Sequence, residues 1–358
     1  MANFSLHLLP EWAPQSKSLV SWPSLQGILG DDYEKLANAT TEISAVAEGI
    51  AQFQPVTVLI PGHERYREAE EYFANIETPF PITLHQTEEK EMDIWLRDFA
   101  PGFAIRQDLR GGHSLVGLDW SFNGYGAKYR TTVTEFLTKR ALQYSHIERI
   151  ETSIVTEGGA LETDGDGTRL VTESSIAKDD TNPGRSREYI EIELQRTLGV
   201  DKIIWIPGRK CIDSTDCDID ALVRFIRPGV LIISKPNETK ESEWTTFYKE
   251  ALKILSITTD AKGRLFEIIE VEEPDPETFP PGDGFADYRA MYSYVSYVLV
   301  NGGVILPQFG EPKHDAAAVC VMQSLFGNER GIFPVLIEDL PRLGSAIHRV
   351  TQGIPQFP

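Results

Sequence analysis

Two hydrophobic periods alternate along this chain. Between Asp31 and Phe53, Leu36, Ile43, Ala47 and Ile50 fall on one face at helical spacing, which predicts an amphipathic helix. Pro55–Pro61 is a short apolar run that predicts a strand; a second helix follows over Glu64–Asn75 and a strand over Ile82–Gln86. Further on, Thr152–Thr156 and Arg169–Thr172 read as strands flanking the Asp- and Gly-rich turn Asp164–Gly167. Ser186–Leu198 reads as a helix with Ser186 as N-cap and Glu188 in its first turn. Strands are predicted over Ile203–Ile206, Ala221–Ile226 and Gly229–Ser234. A hairpin is predicted from Tyr294–Val300 to Val304–Pro307 across Asn301-Gly302, then a helix over His314–Phe326 and a strand over Pro334–Glu338. Pro274–Asp287, rich in Pro, Asp and Gly, reads as a long loop, a lid or an insertion. Short strands and helices thus alternate without a low-complexity linker, which predicts one α/β domain over residues 1–358.

Charge narrows the function classes. The 358 residues carry 34 basic and 54 acidic side chains, a net charge of -20. Phosphate backbones need a basic surface, so a nucleic-acid partner is disfavoured. No run approaches the length of a membrane span, and Met1–Pro14 lacks the basic-then-apolar pattern of a secretory signal; the cytoplasm is the expected location. The three cysteines, Cys211, Cys217 and Cys320, have neither disulfide-framework nor metal-ligand spacing. Cys320, on the Ala-rich helix, is expected to be a buried small hydrophobe. The acidic run Asp213, Asp216, Asp218 and Asp220 lacks the glycine and distal glutamate of a calcium loop, so carboxylates paired to arginine are expected there. No metal or cofactor is expected, and the partner is a small molecule; a homo-oligomer is left open.

An ordered series of motifs spans nearly the whole chain. It runs through Pro10-Glu11-Trp12-Ala13-Pro14, Ser21-Trp22-Pro23, Asp93-Ile94-Trp95-Leu96-Arg97-Asp98, and Trp120 with Phe122, Asn123, Gly126 and Lys128-Tyr129. It continues with Glu157-Gly158-Gly159, Thr172-Glu173-Ser174-Ser175, Asn182-Pro183-Gly184-Arg185, Asp213 to Asp220, Asn301-Gly302-Gly303 and Pro307-Gln308-Phe309-Gly310. In this order the motifs resemble the agmatine deiminase and bacterial-type peptidylarginine deiminase family. The resemblance implies a pentein fold, an α/β propeller of five ββαβ-type units around a central pocket. It also implies guanidine chemistry, in which carboxylates grip a planar cation, a thiolate attacks its carbon and a histidine moves protons.

Carried over residue by residue, the resemblance makes Asp98, Glu157 and Asp220 the pocket carboxylates. It puts Asp218 where the family has the histidine of its H-x-D pair, and Arg349 where it has its nucleophilic cysteine, in Ala346-Ile347-His348-Arg349-Val350-Thr351-Gln352. Asp93, Trp95, Trp120, Lys128, Ser296 and His348 are the expected substrate contacts, with Ser296 in place of an asparagine. Arginine is cationic at any working pH and is no nucleophile, so ordinary deimination is not expected. The two replacements add opposite charges, and the Arg349 guanidinium is expected to sit where a substrate's would, among Asp98, Glu157, Asp218 and Asp220. Three readings follow: an enzyme using acid–base chemistry with these carboxylates and Arg349; a catalytically inactive binding protein; or a guanidine hydrolase whose water is activated by a carboxylate.

Overall fold

The computed structural model describes residues 4–25, 27–127, 137–237, 241–279, 288–327 and 329–357. The chain forms two compact units. The first is built from residues 1–10 and 98–270, the second from residues 11–97 and 271–356. Among the described residues the strands make five small sheets of three or four strands each.

In the first unit, Phe4–Leu8, Gly102–Asp108, His113–Asp119 and Glu148–Glu151 lie side by side in that order, the first three antiparallel and the last parallel. A second sheet pairs Thr168–Thr172 parallel to Lys202–Ile206 and antiparallel to Glu162–Thr163. A third has the order Val223–Arg227, Val230–Lys235, Glu267–Glu272. The helix Arg187–Leu198 closes the core by laying Ile190, Leu194 and Leu198 against Leu6, Val171 and Trp205. Ser186 caps it by accepting from the Tyr189 amide at 3.2 Å. Gly199 ends it in the left-handed region at φ 62°, and a Cβ there would stand 1.5 Å from the Leu6 carbonyl oxygen, so only glycine fits.

The second unit has a sheet with Gly303–Gln308 between Val298–Val300, antiparallel, and Gly331–Leu336, parallel. Its four-stranded sheet has the order Thr351–Pro355, Gln15–Ser21, Val56–Ile60, Ile82–Gln86. The helix Tyr33–Ile50 buries Leu36, Ile43, Ala47 and Ile50, the stripe read from the sequence, and Asp32 caps it by accepting from the amides of Glu34 and Lys35.

Three expectations need correcting. Thr152–Thr156 is a loop; the strand is Glu148–Glu151. Side chains satisfy the loop's backbone in place of a ladder: Ser153 N donates to Glu193, Val155 N to Asn182 Oδ1, and Asn182 Nδ2 to Val155 O. The strand expected over Tyr294–Val300 is confined to Val298–Val300, because Ser296 N turns back onto Ser293 O. The strand expected from Ala221 begins at Val223, after a helical turn over Ile219–Ala221. In the long loop, Pro276–Thr278 is one helical turn, and residues 280–287 lie outside the described ones.

Candidate functional site

The residues singled out by sequence divide between the units: Asp98, Trp120, Glu157, Asp218 and Asp220 belong to the first, and Asp93, Trp95, Ser296, His348 and Arg349 to the second. Lys128 lies outside the described residues.

In the first unit, the turns Gly158–Ala160 and Ile219–Ala221 pack against each other. Glu157 and Asp218 occupy their N-cap positions, yet neither side chain caps its turn. Asp220 sits within the second turn, and all three carboxylates are buried. Asp98 is buried as well, and the Tyr125 hydroxyl donates to its Oδ2 at 2.6 Å. Tyr125 is held at φ 58°, in a turn shaped by Asn123 Oδ1, which accepts from the Gly126 amide at 2.9 Å; the Phe122 ring meets the Tyr125 ring edge-on at 5.0 Å. The run from Phe122 to Gly126 therefore serves to present one hydroxyl to Asp98. Trp120 is a core residue of this unit, its indole over Gly102.

The segment leading to Asp218 is a strained loop. Cys211, Asp216 and Cys217 all have left-handed backbones, at φ 63°, 65° and 68°. Two aspartates hold it in that shape. Asp213 Oδ1 accepts from the Thr215 amide and hydroxyl and from the Cys217 amide, all within 3.0 Å, and Asp216 Oδ1 accepts from the Cys211 amide at 2.8 Å. Non-glycine residues in this region cost about 1 kcal/mol or more each and concentrate where a site needs a fixed geometry.

Sequence reading missed the cation of this cluster. Lys178 is 4% exposed, and its Nζ donates to Asp216 Oδ2 at 2.5 Å. Burial pulls its pKa down, but the charges of Glu157, Asp216 and Asp218 outweigh burial and hold the amine above the ordinary lysine value. The residue lies in the polar stretch Ala177-Lys178-Asp179-Asp180, which reads as a surface turn; nothing in its spacing separates it from a solvated lysine.

The three thiols differ in exposure. Cys217 is buried, and burial followed by the nearby Asp213 charge pushes its thiol far up, away from thiolate. Cys211 is exposed on the loop. Cys320 is exposed too, contrary to the burial expected of it: on the helix Pro312–Phe326 the core face is carried by Ala318 and Met322, and position 320 falls on the opposite side.

In the second unit, the segment carrying Arg349 is fixed by Arg97. The Arg97 Nε donates to His348 O at 2.7 Å, its amide donates to Arg349 O at 3.0 Å, and its Nη2 reaches Glu11 Oε1 at 3.0 Å. Glu11 also faces His348 Nε2 at 3.3 Å. Ser296 O accepts from the His348 amide at 3.2 Å. Arg349 is a fully buried side chain. Asp93 accepts at its carbonyl from Ser21 Oγ at 2.7 Å, and Trp95 is buried.

Among the described residues no group of histidine, cysteine and carboxylate side chains is arranged to hold a metal ion, and no helix is long and apolar enough to cross a membrane.

Residues 7–355 match the family of Porphyromonas-type peptidyl-arginine deiminases. The chain belongs to this deiminase family. It is 31% identical to an agmatine deiminase of Stutzerimonas stutzeri over 363 residues, covering 96% of this chain and 94% of that protein. It is 29% identical to an agmatine deiminase of Medicago truncatula, covering 98% of this chain and 96% of the other. The solved agmatine deiminase of Enterococcus faecalis superposes with a TM-score of 0.83 at 24% identity, over 98% of this chain and 96% of that one. The family fold is the pentein fold, and the five small sheets accord with its five repeated units. Within this deiminase family member, Asp98, Glu157, Asp218, Asp220 and Arg349 are all buried.

Proposed function

We propose that this deiminase-family protein acts on a small molecule by acid–base chemistry and forms no covalent thiouronium intermediate. Asp218, in the histidine's place, moves the proton, with Glu157 and Asp220 next to it in the order of the motifs. The observation that carries this reading is the environment of Lys178. An ammonium bonded to Asp216 and held by the charges of Glu157 and Asp218 is a buried counter-ion beside the candidate bases. The burial and raised pKa of Cys217 support the absence of a thiolate step. A cytoplasmic location belongs to the same reading.

The test has two arms. Purified protein given agmatine, free arginine or an arginyl peptide should release no ammonia, and turnover with a trapped adduct on a cysteine overturns the reading. Incubated with a cell extract of small molecules, the wild type should consume a compound that Asp218→Asn leaves untouched. Absence of any such consumption favours the second reading, a binding protein without chemistry. The Lys178–Asp216 pair favours that second reading too, since it balances one buried charge with another without a substrate.

A further inference from the structure

We propose that Lys178 is the specificity determinant of this cluster, a built-in counter-ion that turns away permanently cationic ligands and selects small molecules without a positive charge. The inference rests on the small-molecule reading above and names its substrate class. Guanidinium recognition needs carboxylates whose charge is unspent and whose oxygens are available in pairs. Here one oxygen of Asp216 is committed to the lysine ammonium at 2.5 Å and the other to the Cys211 amide at 2.8 Å. The ammonium is itself buried beside Glu157 and Asp218, so water does not screen it, and its charge acts on both carboxylates. A second cation seated against Glu157 or Asp218 would meet a like charge at close range in a medium of reduced dielectric. At a separation of about 6 Å and an effective dielectric constant of about 20, that repulsion lowers affinity on the order of 100-fold. A neutral ligand avoids this repulsion and gains a hydrogen-bond donor.

Two variants test the assignment. Lys178→Met removes the charge alone; Lys178→Met with Asp216→Asn removes both partners and so leaves no stranded buried carboxylate at that pair. Agmatine and its uncharged isostere, in which urea replaces guanidine and an alcohol replaces the amine, are titrated against wild type and both variants by calorimetry and thermal shift. The expected result is that agmatine binds Lys178→Met on the order of 100-fold more tightly than the wild type, and the double variant, which also loses the attraction of Asp216, by a clearly smaller factor, while affinity for the uncharged isostere does not rise. Equal agmatine affinity in wild type and in whichever variants fold, including no binding to any of them, overturns the proposal. Product formation is scored separately. Ammonia release with an adduct trapped on a cysteine would defeat the non-covalent reading, whereas unchanged binding would defeat the role of Lys178.

Discussion

Arg97 and His348, 251 residues apart, are joined by a 2.7 Å hydrogen bond from the guanidinium Nε to the peptide carbonyl. The Arg97 amide reaches the next carbonyl, that of Arg349, at 3.0 Å. One residue of the Asp93–Asp98 motif therefore sets the path of the chain through the C-terminal motif. Its ion pair to Glu11 adds the N-terminal motif to the same junction.

Breaking this junction should destabilise the second unit. Arg97→Ala takes the guanidinium donor from the His348 carbonyl and this partner from Glu11, while the backbone bond to the Arg349 carbonyl stays, and an expected loss of about 3 kcal/mol is measurable by urea unfolding. Arg97→Lys keeps the charge but not the fork, and should cost about half as much. A loss below about 0.5 kcal/mol in Arg97→Ala would show that the three motifs are not joined in this way.

Lys178 gives a pH signature. Its pKa is raised in the folded protein, so the stabilisation it supplies is fully present below the ordinary lysine value of 10.5 and is lost as pH rises through the higher folded value. Lys178→Met should cost about 3 kcal/mol at pH 7. The gap in unfolding free energy between wild type and variant should narrow above roughly pH 10.5. A gap that stays constant to pH 11.5 would count against the charged pair.

Thiol accessibility separates the cysteines. Cys211 and Cys320 are exposed and Cys217 is buried with its thiol pushed far up. A chromogenic disulfide reagent at pH 8 should modify two thiols in the native protein and the third only in denaturant. Fast native modification of Cys217, located by peptide mapping, would reopen it as a nucleophile.

The Tyr125 hydroxyl should matter more than its ring. Tyr125→Phe retains the edge-on contact with Phe122 and removes the donor to Asp98. A buried carboxylate that loses a 2.6 Å hydrogen bond costs about 2 kcal/mol, read as a lowered melting temperature. An unchanged melting temperature would mean that the bond adds nothing net.

Much of the fold was legible because local signals and tertiary packing agree. Asp32 and Ser186 cap the helices that follow them, and Asn301-Gly302 makes the expected turn. Several motifs have plain structural reasons. Asn301 exchanges hydrogen bonds with the backbone of Gln15, and Asp315 receives the amides of Phe309 and Gly310 together with the Tyr294 hydroxyl. The helix Glu243–Ile257 went unread although Ser242 and Thr245 form a capping box, because threonine rather than glutamate closes it. The hairpin of Gly102–Asp108 with His113–Asp119 went unread too; its turn is organised by Asp108 accepting from the amides of Arg110 and Gly112. At the site, the acids stood out by motif. Lys178 and Tyr125 did not, since each acquires its meaning only from a partner distant in sequence, 38 and 27 residues away respectively.

The double duty of Asp216 constrains how this protein can change. One of its oxygens closes the left-handed loop through Cys211, and the other holds Lys178. Replacing Asp216 alone unfastens a strained turn and strands an ammonium in one step; replacing Lys178 alone leaves a buried acid that the loop still requires. Neither single step is close to neutral, so descendants of this sequence should keep the pair or lose it together, and mutational paths that pass through one change at a time should show strong sign-dependent coupling between positions 178 and 216.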